Sequence, residues 1–246
     1  MNAGNFLIPD WPAPANVRAA SSLRIGGASE GPFASFNLAM HVGDDAATVD
    51  ENRRRLHEDL RLPAEPVWLN QVHGTHVVEA VSQPTPPTAD ASVARSPGQV
   101  CIVMTADCLP VLFCDRQGTR VAAAHAGWRG LVGGVLAQTI AALAAPPQEL
   151  LAWLGPAIEQ PAFEVGEEVR EQFIARNPAN AYAFDRNERG RWQADLYALA
   201  RQELTRLGVQ QIHGGGFRTH ADAEKFFSYR REQKTGRMAS LVWMDD

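Results

Sequence analysis

The chain has 246 residues, of which 45% are apolar and 21% charged, and its formal net charge is -5. These are the proportions of an ordinary globular protein, and a chain of this length buries a core large enough to fold without disulfides or a structural metal. Acidic and basic residues are interspersed, so the sequence lacks the basic surface of a nucleic-acid-binding protein, and we expect no nucleic acid partner. We predict one domain over residues 1–246.

The N-terminal sequence and the cysteines bear on the compartment. Residues 1–14 lack the charged start and apolar stretch of a secretory signal, and no apolar run reaches the roughly 20 residues that span a bilayer. Cys101, Cys108 and Cys114 are odd in number and close together, which argues against a disulfide framework and for a reducing compartment. We therefore expect a cytoplasmic protein without a membrane partner, and nothing in the sequence indicates an obligate protein partner.

The first predicted elements are a strand and a helix. Residues 17–25 show the apolar pattern of a strand, and the two glycines that follow predict a turn. Thr48 and Glu51 have the spacing of a capping box, in which both side chains satisfy free amide groups at the start of a helix. The apolar spacing predicts that this helix continues to Leu60.

The middle of the chain is predicted to consist of short strands separated by turns. Residues 82–90 include three prolines and are predicted to form a loop between two strands. A turn at residues 115–118 separates two further strands. The strands of this region are predicted at residues 67–69, 76–81, 100–104, 111–114 and 119–124.

The last part of the chain adds helices. A stripe of apolar residues with helical spacing covers residues 131–143 and ends at two prolines. Residues 167–176 and 196–207 are also predicted to be helical, the second ending at Gly208. Two more strands are predicted at residues 151–154 and 239–244. Because strands and helices are mixed throughout, the predicted fold class is α/β (α+β), a compact domain with a central mixed β-sheet flanked by helices.

Three polar segments, two of them containing glycine, interrupt the predicted strands, and they carry His73, Cys108 and His125. Imidazole and thiolate are ligands that zinc prefers, and a His2Cys set leaves a fourth position open for water or substrate. A structural zinc site would show four ligands in closely spaced pairs, and the chain has no Cys-x-x-Cys. The residue types therefore predict a single reactive metal ion, zinc, at these three positions.

The spacing alone leaves structural roles open for the same residues. A histidine beside a glycine is commonly a hydrogen-bonded structural residue, and cysteine is commonly a small buried apolar side chain. Cys101 and Cys114 lie inside apolar runs and are interpreted in that way. His76 is a further possible ligand, although the alternation of its strand is expected to turn it away from His73.

The three segments resemble signature blocks of the YfiH-like family, whose members are also labelled laccase-domain or polyphenol oxidase proteins of the purine nucleoside phosphorylase type. The chain departs from the family pattern at Arg218, where members often have cysteine, and at residues 21–24, where SSLR replaces the usual Thr-Thr-Arg. The matching blocks, in order, are RIGG at 24–27, FNLAMHVGD at 36–44, ENR at 51–53, NQVHG at 70–74, TADCLP at 105–110, HAGWRG at 125–130, LGPAI at 154–158, FEVG at 163–166, FFSYRR at 226–231 and TGR at 235–237.

The resemblance implies a single YfiH-like catalytic domain with zinc held by His73, Cys108 and His125. It implies an enzyme with transferase and hydrolase activities. The first is phosphorolysis of adenosine, inosine, guanosine or methylthioadenosine to the free base and a ribose 1-phosphate. The second is deamination of adenosine to inosine. The expected partners are thus purine nucleosides and phosphate, and copper is a possible substitute for zinc because copper(II) binds nitrogen and sulfur ligands more tightly.

Catalytic roles follow from this chemistry. In the expected deamination, zinc would acidify a bound water for attack on the purine C6, and Asp107 is the carboxylate closest in sequence that could carry the proton. The equally weighted alternative is that Asp107 orients a ligand or caps a turn. Arg129 lies among glycines that open a helix and is the expected phosphate contact. With the ligand Cys108, these two residues form the predicted catalytic set.

Substrate contacts are predicted from polar side chains in the same blocks. Phe226 or Phe227 could stack on the purine, and packing in the core is the alternative for both. The predicted substrate-binding residues are Arg24, Asn37, His41, Gln71 and Arg230.

Three other functions compete with this interpretation. A copper-dependent polyphenol oxidase needs many more imidazoles, typically in His-x-His pairs, whereas the chain has seven histidines and no such pair. A hydrolase or editing factor acting on peptidoglycan precursors could use Cys108 as nucleophile and His125 as base, which leaves His73 without a role. A non-catalytic module could bind nucleosides in the same pocket, and metal-dependent turnover would distinguish it from an enzyme.

Overall fold

The structure, a computed structural model, describes residues 3–245. Short 3₁₀ turns connect several of its elements. The helices are α1 (Ala46–Leu60), α2 (Trp128–Gly133), α3 (Val135–Leu143), α4 (Glu167–Arg176), α5 (Leu196–Arg206) and α6 (Tyr229–Glu232). The strands are β1 (Phe6–Leu7), β2 (Val17–Ser22), β3 (Val77–Glu79), β4 (Ala91–Ala94), β5 (Val100–Thr105), β6 (Leu109–Asp115), β7 (Val121–Ala126), β8 (Leu150–Leu154), β9 (Glu164–Val165), β10 (Phe184–Arg186), β11 (Trp192–Ala194), β12 (Gln211–Gly214) and β13 (Met238–Met244).

A six-stranded sheet in the order β12-β8-β6-β7-β4-β3 carries the residues of interest. Its outer pairs β12–β8 and β3–β4 are parallel, and its inner pairs are antiparallel. The predicted mixed sheet and the α/β class are therefore confirmed. A four-stranded antiparallel sheet, β1-β2-β13-β5, and a three-stranded sheet, β10-β11-β9, accompany it.

The two larger sheets pack face to face and bury one apolar layer between them. Along β7, Val121 and Ala123 belong to this layer, whereas Ala122 and Ala124 face the opposite side and pack against the helices α3 and α5. The strand β5 alternates in the same way, with Val103 between the sheets. On its outer face the four-stranded sheet packs against α1. Period-two alternation in strands buried on both faces thus produces a four-layer arrangement.

The structure corrects two helix predictions. The first helix begins at Ala46 because Asp45 accepts a hydrogen bond from the backbone N–H of Thr48 at 2.9 Å. Asp45 is thus the N-cap, and Thr48 lies in the first turn instead of capping it. The apolar stripe at residues 131–143 forms two helices because Gly134 adopts a left-handed φ of 101°.

Residues 67–69, predicted as a strand, are buried but lie outside any strand. The strands β1, β4 and β12 and the three-stranded sheet were not predicted. These strands are short and carry little of the alternation that identifies a strand in sequence. The remaining predicted strands and the helices at residues 167–176 and 196–207 are confirmed within a few residues. In the described part of the chain, every helix is too short or too polar to cross a bilayer.

Candidate metal centre and adjoining cavity

Three chain segments bring His73, Cys108 and His125 together at one end of the six-stranded sheet. Cys108 immediately precedes β6, and His125 lies near the end of β7. These strands are antiparallel neighbours in which Pro110 pairs with His125, so the start of one strand lies beside the end of the other. His73 lies in the loop before β3. The side-chain donor atoms of the three residues all lie within 4.8 Å of one another.

A single buried carboxylate organises the loop that carries His73. Asp90 accepts hydrogen bonds from the backbone N–H groups of Val72, His73 and Gly74, at 3.2, 2.9 and 2.6 Å. These contacts hold His73 in a left-handed conformation with φ of 60°, which is uncommon for a residue with a side chain. The same carboxylate accepts a hydrogen bond from Nδ1 of His125 at 2.8 Å. Asp90 therefore connects two of the three donor residues.

Asp90 was missed in the sequence. It closes a proline-containing loop, where an aspartate is ordinarily a turn residue, and it directly precedes β4. Because β4 pairs with β7, with Ala91 opposite Ala124, the carboxylate lies beside His125. Only strand pairing between distant segments creates this contact, so no local pattern would have identified it.

The donor residues perturb one another electrostatically. Burial raises the pKa of the Cys108 thiol, but the hydrogen bond and charge of His125, followed by those of His73, outweigh burial and lower this pKa to about 6. Burial lowers the pKa of His125, but hydrogen bonds to Asp90 and Cys108 outweigh it and raise this pKa to about 9. At neutral pH, the metal-free site therefore holds a thiolate next to an imidazolium.

The geometry of the three donors fits a metal ion. The Sγ atom of Cys108 lies 3.7 Å from Nε2 of His73, and the ligands of a tetrahedral zinc lie about 3.3 to 3.6 Å apart. Because His125 uses Nδ1 to bind Asp90, its Nε2 atom is the one that can bind a metal once it has lost its proton. A Cβ atom added at Gly127 would lie 2.9 Å from Sγ of Cys108, 3.0 Å from Cδ2 of His73 and 3.5 Å from Nε2 of His125. The glycine thus leaves space between the three side chains.

The other sulfur and imidazole candidates take no part in this centre. Burial raises the pKa of the Cys101 thiol and that of the Cys114 thiol to about 12 each. Both side chains are fully buried in the layer between the sheets, in agreement with the apolar role predicted for them. His76 is outside the donor cluster found in residues 3–245.

A cavity of about 590 Å³ adjoins the metal centre and includes all three donor residues in its wall. The wall is rich in arginine and aromatic side chains. Asp107 is the carboxylate in this wall, so cationic side chains outnumber acidic ones. Besides the donors, the cationic and aromatic residues of the wall are His41, Trp128, Arg129, Phe163, Tyr229, Arg230 and Arg237.

The structure brings five of the predicted site residues to this wall in addition to the donors. They are His41, Gln71, Asp107, Arg129 and Arg230. Gln71 already binds the backbone of Met104 through both ends of its amide, at 2.9 and 2.8 Å. Burial, followed by the charges of Arg237 and Arg53, lowers the pKa of His41, which favours the neutral imidazole. His41 therefore offers the cavity an uncharged hydrogen-bonding group.

Asp107 is fully engaged by the protein. One carboxylate oxygen accepts a hydrogen bond from the hydroxyl of Thr219 at 2.7 Å, and the other accepts one from the backbone N–H of Arg230 at 2.7 Å. The residue has a left-handed φ of 93° immediately before Cys108. These contacts fix the backbone that presents the thiol, so they favour the orienting alternative over a freely accessible proton carrier.

Arg24 and Asn37 do not line the cavity. The guanidinium of Arg24 donates to the carbonyls of Ala34 and Ala223 and to the carboxylate of Glu232. Asn37 is fully buried. Their predicted contact with substrate remains a prediction, and their present hydrogen bonds support structural roles.

The aromatic part of the cavity wall differs from the prediction. Phe226 and Phe227 have 1% and 0% of their surface exposed and belong to the core, so neither can stack on a bound ligand as the fold stands. Tyr229, three residues after Phe226, is instead exposed and lines the cavity. Arg237 was also missed as a site residue, although it belongs to the block TGR at residues 235–237.

Relatives of known structure or name resemble the chain over its full length. A purine nucleoside phosphorylase of Pseudomonas aeruginosa is 57% identical over 247 residues, which cover 100% of both proteins. The purine nucleoside phosphorylase YfiH of Escherichia coli is 54% identical, with 97% of this chain and 98% of that protein aligned. The crystal structure of a Neisseria meningitidis protein of the DUF152 family matches with a TM-score of 0.95 at 53% identity, covering 98% of this chain and 100% of the other.

The family assignment rests on a match that extends from the second strand to the last. A protein family described as multi-copper polyphenol oxidoreductase laccase matches residues 18–245. The relatives named YfiH and the DUF152 structure agree with this match. The chain therefore belongs to the laccase-domain family that includes the YfiH proteins.

Proposed function

We propose that the protein is a zinc-dependent purine nucleoside phosphorylase that also deaminates adenosine. The observation that carries the proposal is the position of a His2Cys donor set in the wall of a 590 Å³ cavity rich in arginine and aromatic side chains. Relatives at 57% and 54% identity are named purine nucleoside phosphorylases. Substrates are adenosine, inosine, guanosine and methylthioadenosine, and the co-substrate for base release is phosphate.

The cavity offers separate surfaces for the parts of these substrates. Tyr229, Phe163 and Trp128 present aromatic faces on which a purine can stack. The guanidinium groups in the wall attract a phosphate and can bind it through paired N–H donors. Neutral His41 can accept or donate a hydrogen bond to the ribose without adding charge. Together these groups bring a nucleoside and an anion next to the metal centre.

The donor set supports the proposed metal chemistry. His73, Cys108 and His125 would hold the ion, which supplies Lewis-acid activation of a water or substrate oxygen when bound. Asp90 orients His125 and the loop of His73. Asp107, the residue before Cys108, is anchored by Thr219 and by the backbone N–H of Arg230. Two imidazoles and one thiolate suit zinc, and copper is a possible substitute because it binds such sites more tightly.

The same site argues against a multicopper oxidase. In the described residues, this is the one group of three or more His, Cys, Asp or Glu side chains close enough together to hold a metal ion. A multicopper oxidase needs a second, trinuclear copper cluster with many more imidazoles. The family description therefore does not extend to the proposed activity of this chain.

One observation favours a second function. The thiolate–imidazolium pair of Cys108 and His125 is the arrangement of a cysteine hydrolase, which could act on a peptidoglycan precursor. In that mechanism His73 has no chemical role, although its Nε2 lies 3.7 Å from the sulfur. Metal dependence separates the two functions because a cysteine nucleophile requires no ion and is blocked when a metal binds the thiolate.

The test uses protein with a measured metal content, incubated with adenosine or inosine, each with and without phosphate. Phosphate-dependent release of adenine or hypoxanthine supports phosphorolysis, and phosphate-independent conversion of adenosine to inosine supports deamination. The variants His73→Ala, Cys108→Ala and His125→Ala are expected to lose both zinc and turnover. Absence of turnover by zinc-replete wild-type protein would overturn the proposal. Hydrolysis of a peptidoglycan precursor by zinc-free wild type, but not by zinc-free Cys108→Ala, would favour the cysteine hydrolase.

A further inference from the structure

Three guanidinium groups line the cavity, and they differ in how the protein holds them. Arg129 is exposed and packs over the ring of Trp128 at 4.5 Å. Arg230 is also exposed, and its Nη1 donates to the carbonyl oxygens of Ala162 and Glu164 at 3.3 and 3.0 Å. Arg237 is less accessible than either of them. Of the three, Arg237 is therefore the cation most removed from bulk water.

The main chain of Arg237 is fixed by a fully buried asparagine. Its backbone N–H donates to Oδ1 of Asn37 at 3.0 Å, and its carbonyl accepts from the N–H of Leu38 at 3.3 Å. Asn37 is held in turn by a hydrogen bond to Asp44 at 2.9 Å. The preceding residue, Gly236, packs directly against Phe227, since an added Cβ would lie 2.7 Å from the phenylalanine ring. The buried Asn37 thus positions Arg237.

The side chain of Arg237 has no acidic partner within residues 3–245. Its Nη1 donates to the carbonyl oxygens of Thr235 and Gly236 at 2.8 and 3.0 Å, and its other guanidinium N–H groups have no acceptor in the described structure. Burial lowers the pKa of Arg237, although the charges of Cys108 and Asp107 oppose this effect. A partly desolvated cation without a counter-ion destabilises a protein unless an anion binds to it.

We propose that Arg237 binds the phosphate co-substrate in this cavity and that Asn37 positions it for that contact. A guanidinium held at one end by main-chain carbonyls presents its remaining N–H groups as a preorganised fork, which matches two oxygens of a phosphate. The assignment rests on the proposed phosphorolysis and refines it, because the sequence pattern had favoured the exposed Arg129.

The test compares Arg237→Met and Arg237→Lys with wild type in two measurements. The first is the binding of inorganic phosphate to the zinc-replete protein by titration calorimetry, which needs no turnover. The second is the KM for phosphate at saturating inosine and the KM for inosine at saturating phosphate. Arg218→Met is the matched control, since it removes one guanidinium from an exposed ion pair with Asp222 outside the cavity.

We expect Arg237→Met to weaken phosphate binding and to raise the phosphate KM by at least about tenfold, the effect of losing a charge-assisted pair of hydrogen bonds. The inosine KM should change by less than about twofold. A general structural defect would instead raise both KM values. Arg237→Lys should have a phosphate KM between those of wild type and Arg237→Met, because lysine keeps the charge but lacks the paired N–H donors of a guanidinium. Arg218→Met should match wild type.

The two proposals fail in different ways. Phosphate binding that is equal in wild type and Arg237→Met would overturn the assignment of Arg237, as would a wild type that binds no phosphate. A wild type that binds phosphate through Arg237 but releases no base would instead overturn phosphorolysis and leave the anion site in place. Zinc content and thermal unfolding of each variant identify any loss of fold.

Discussion

The Oδ1 atom of Asp90 lies 2.8 Å from Nδ1 of His125, and both side chains are almost completely buried. This contact places the donor proton of the imidazole on Nδ1 and leaves the lone pair of Nε2 for a metal. The same carboxylate binds three consecutive N–H groups of the loop that carries His73. The positions of two donors in the proposed zinc site therefore depend on one aspartate.

Replacing Asp90 by asparagine should lower zinc affinity by about 10- to 100-fold, the usual effect of losing a group that orients a metal ligand. The amide can accept fewer hydrogen bonds than the carboxylate, so the loop and the imidazole lose their common anchor. Competition with a chelator measures the affinity. Asp115→Asn is the matched control, because Asp115 is also buried and also accepts backbone N–H groups, from Thr119 and Arg120, at the opposite end of β6. Equal zinc affinity in both variants would contradict the role of Asp90.

Adding a methyl group at Gly127 should obstruct the metal position. The backbone there has φ of -59°, so alanine introduces no backbone strain, but its Cβ would lie 2.9 Å from the sulfur of Cys108. Overpacking of this kind costs about 1–3 kcal/mol, which corresponds to a loss of zinc affinity on the order of tenfold. Gly133→Ala, in the same helix but facing Thr75, is the control and should keep the affinity of wild type. Zinc binding by Gly127→Ala as tight as that of wild type would show that the ion lies elsewhere.

Zinc affinity should rise with pH in a defined window. In the metal-free protein the pKa of His125 is about 9 and that of Cys108 about 6, and the metal binds only their deprotonated forms. Between these values one proton must leave His125, so affinity should rise about tenfold per pH unit. Below pH 6 the Cys108 thiol is protonated as well and the slope should steepen. Titration calorimetry at pH 7.5 in two buffers with different ionisation enthalpies should find about one proton released per zinc, and release of none would contradict the thiolate–imidazolium pair.

Tyr229 should contribute more to nucleoside binding than to phosphate binding. Its ring is 55% exposed and lines the cavity, and stacking of a base on an aromatic ring is worth about 1–3 kcal/mol. We therefore expect Tyr229→Ala to raise the KM for inosine by at least about fivefold. The KM for phosphate should rise less, because the ring contacts Arg237 only at its edge of the cavity, with the guanidinium carbon 5.8 Å from the ring centroid. Tyr182→Ala is the control, because Tyr182 is 61% exposed and lies outside the cavity wall. An unchanged inosine KM in Tyr229→Ala would remove this ring from the proposed site.

The sequence by itself determined the elements whose signals are local. Apolar periodicity predicted α5, and short apolar runs predicted β5, β6 and β8, because each pattern depends only on neighbouring residues. The three donor residues were also predicted, since imidazole and thiolate are recognisable as metal ligands from residue type and family blocks. The sequence also led us to expect that these residues lie close together. For Cys108 and His125, the antiparallel pairing of β6 and β7 explains the proximity.

Only the tertiary structure decided which residues support and surround these donors. Asp90 and His125 are 35 positions apart, and Asn37 and Arg237 are 200 positions apart. Contacts of this kind form when sheets pair and pack, and no local periodicity records them. For the same reason the sequence did not distinguish the buried Phe227 from the exposed Tyr229, since both lie in one block of aromatic and basic residues. Burial and charge pairing are properties of the packed fold, and they separate a side chain that holds the site together from one that can meet a substrate.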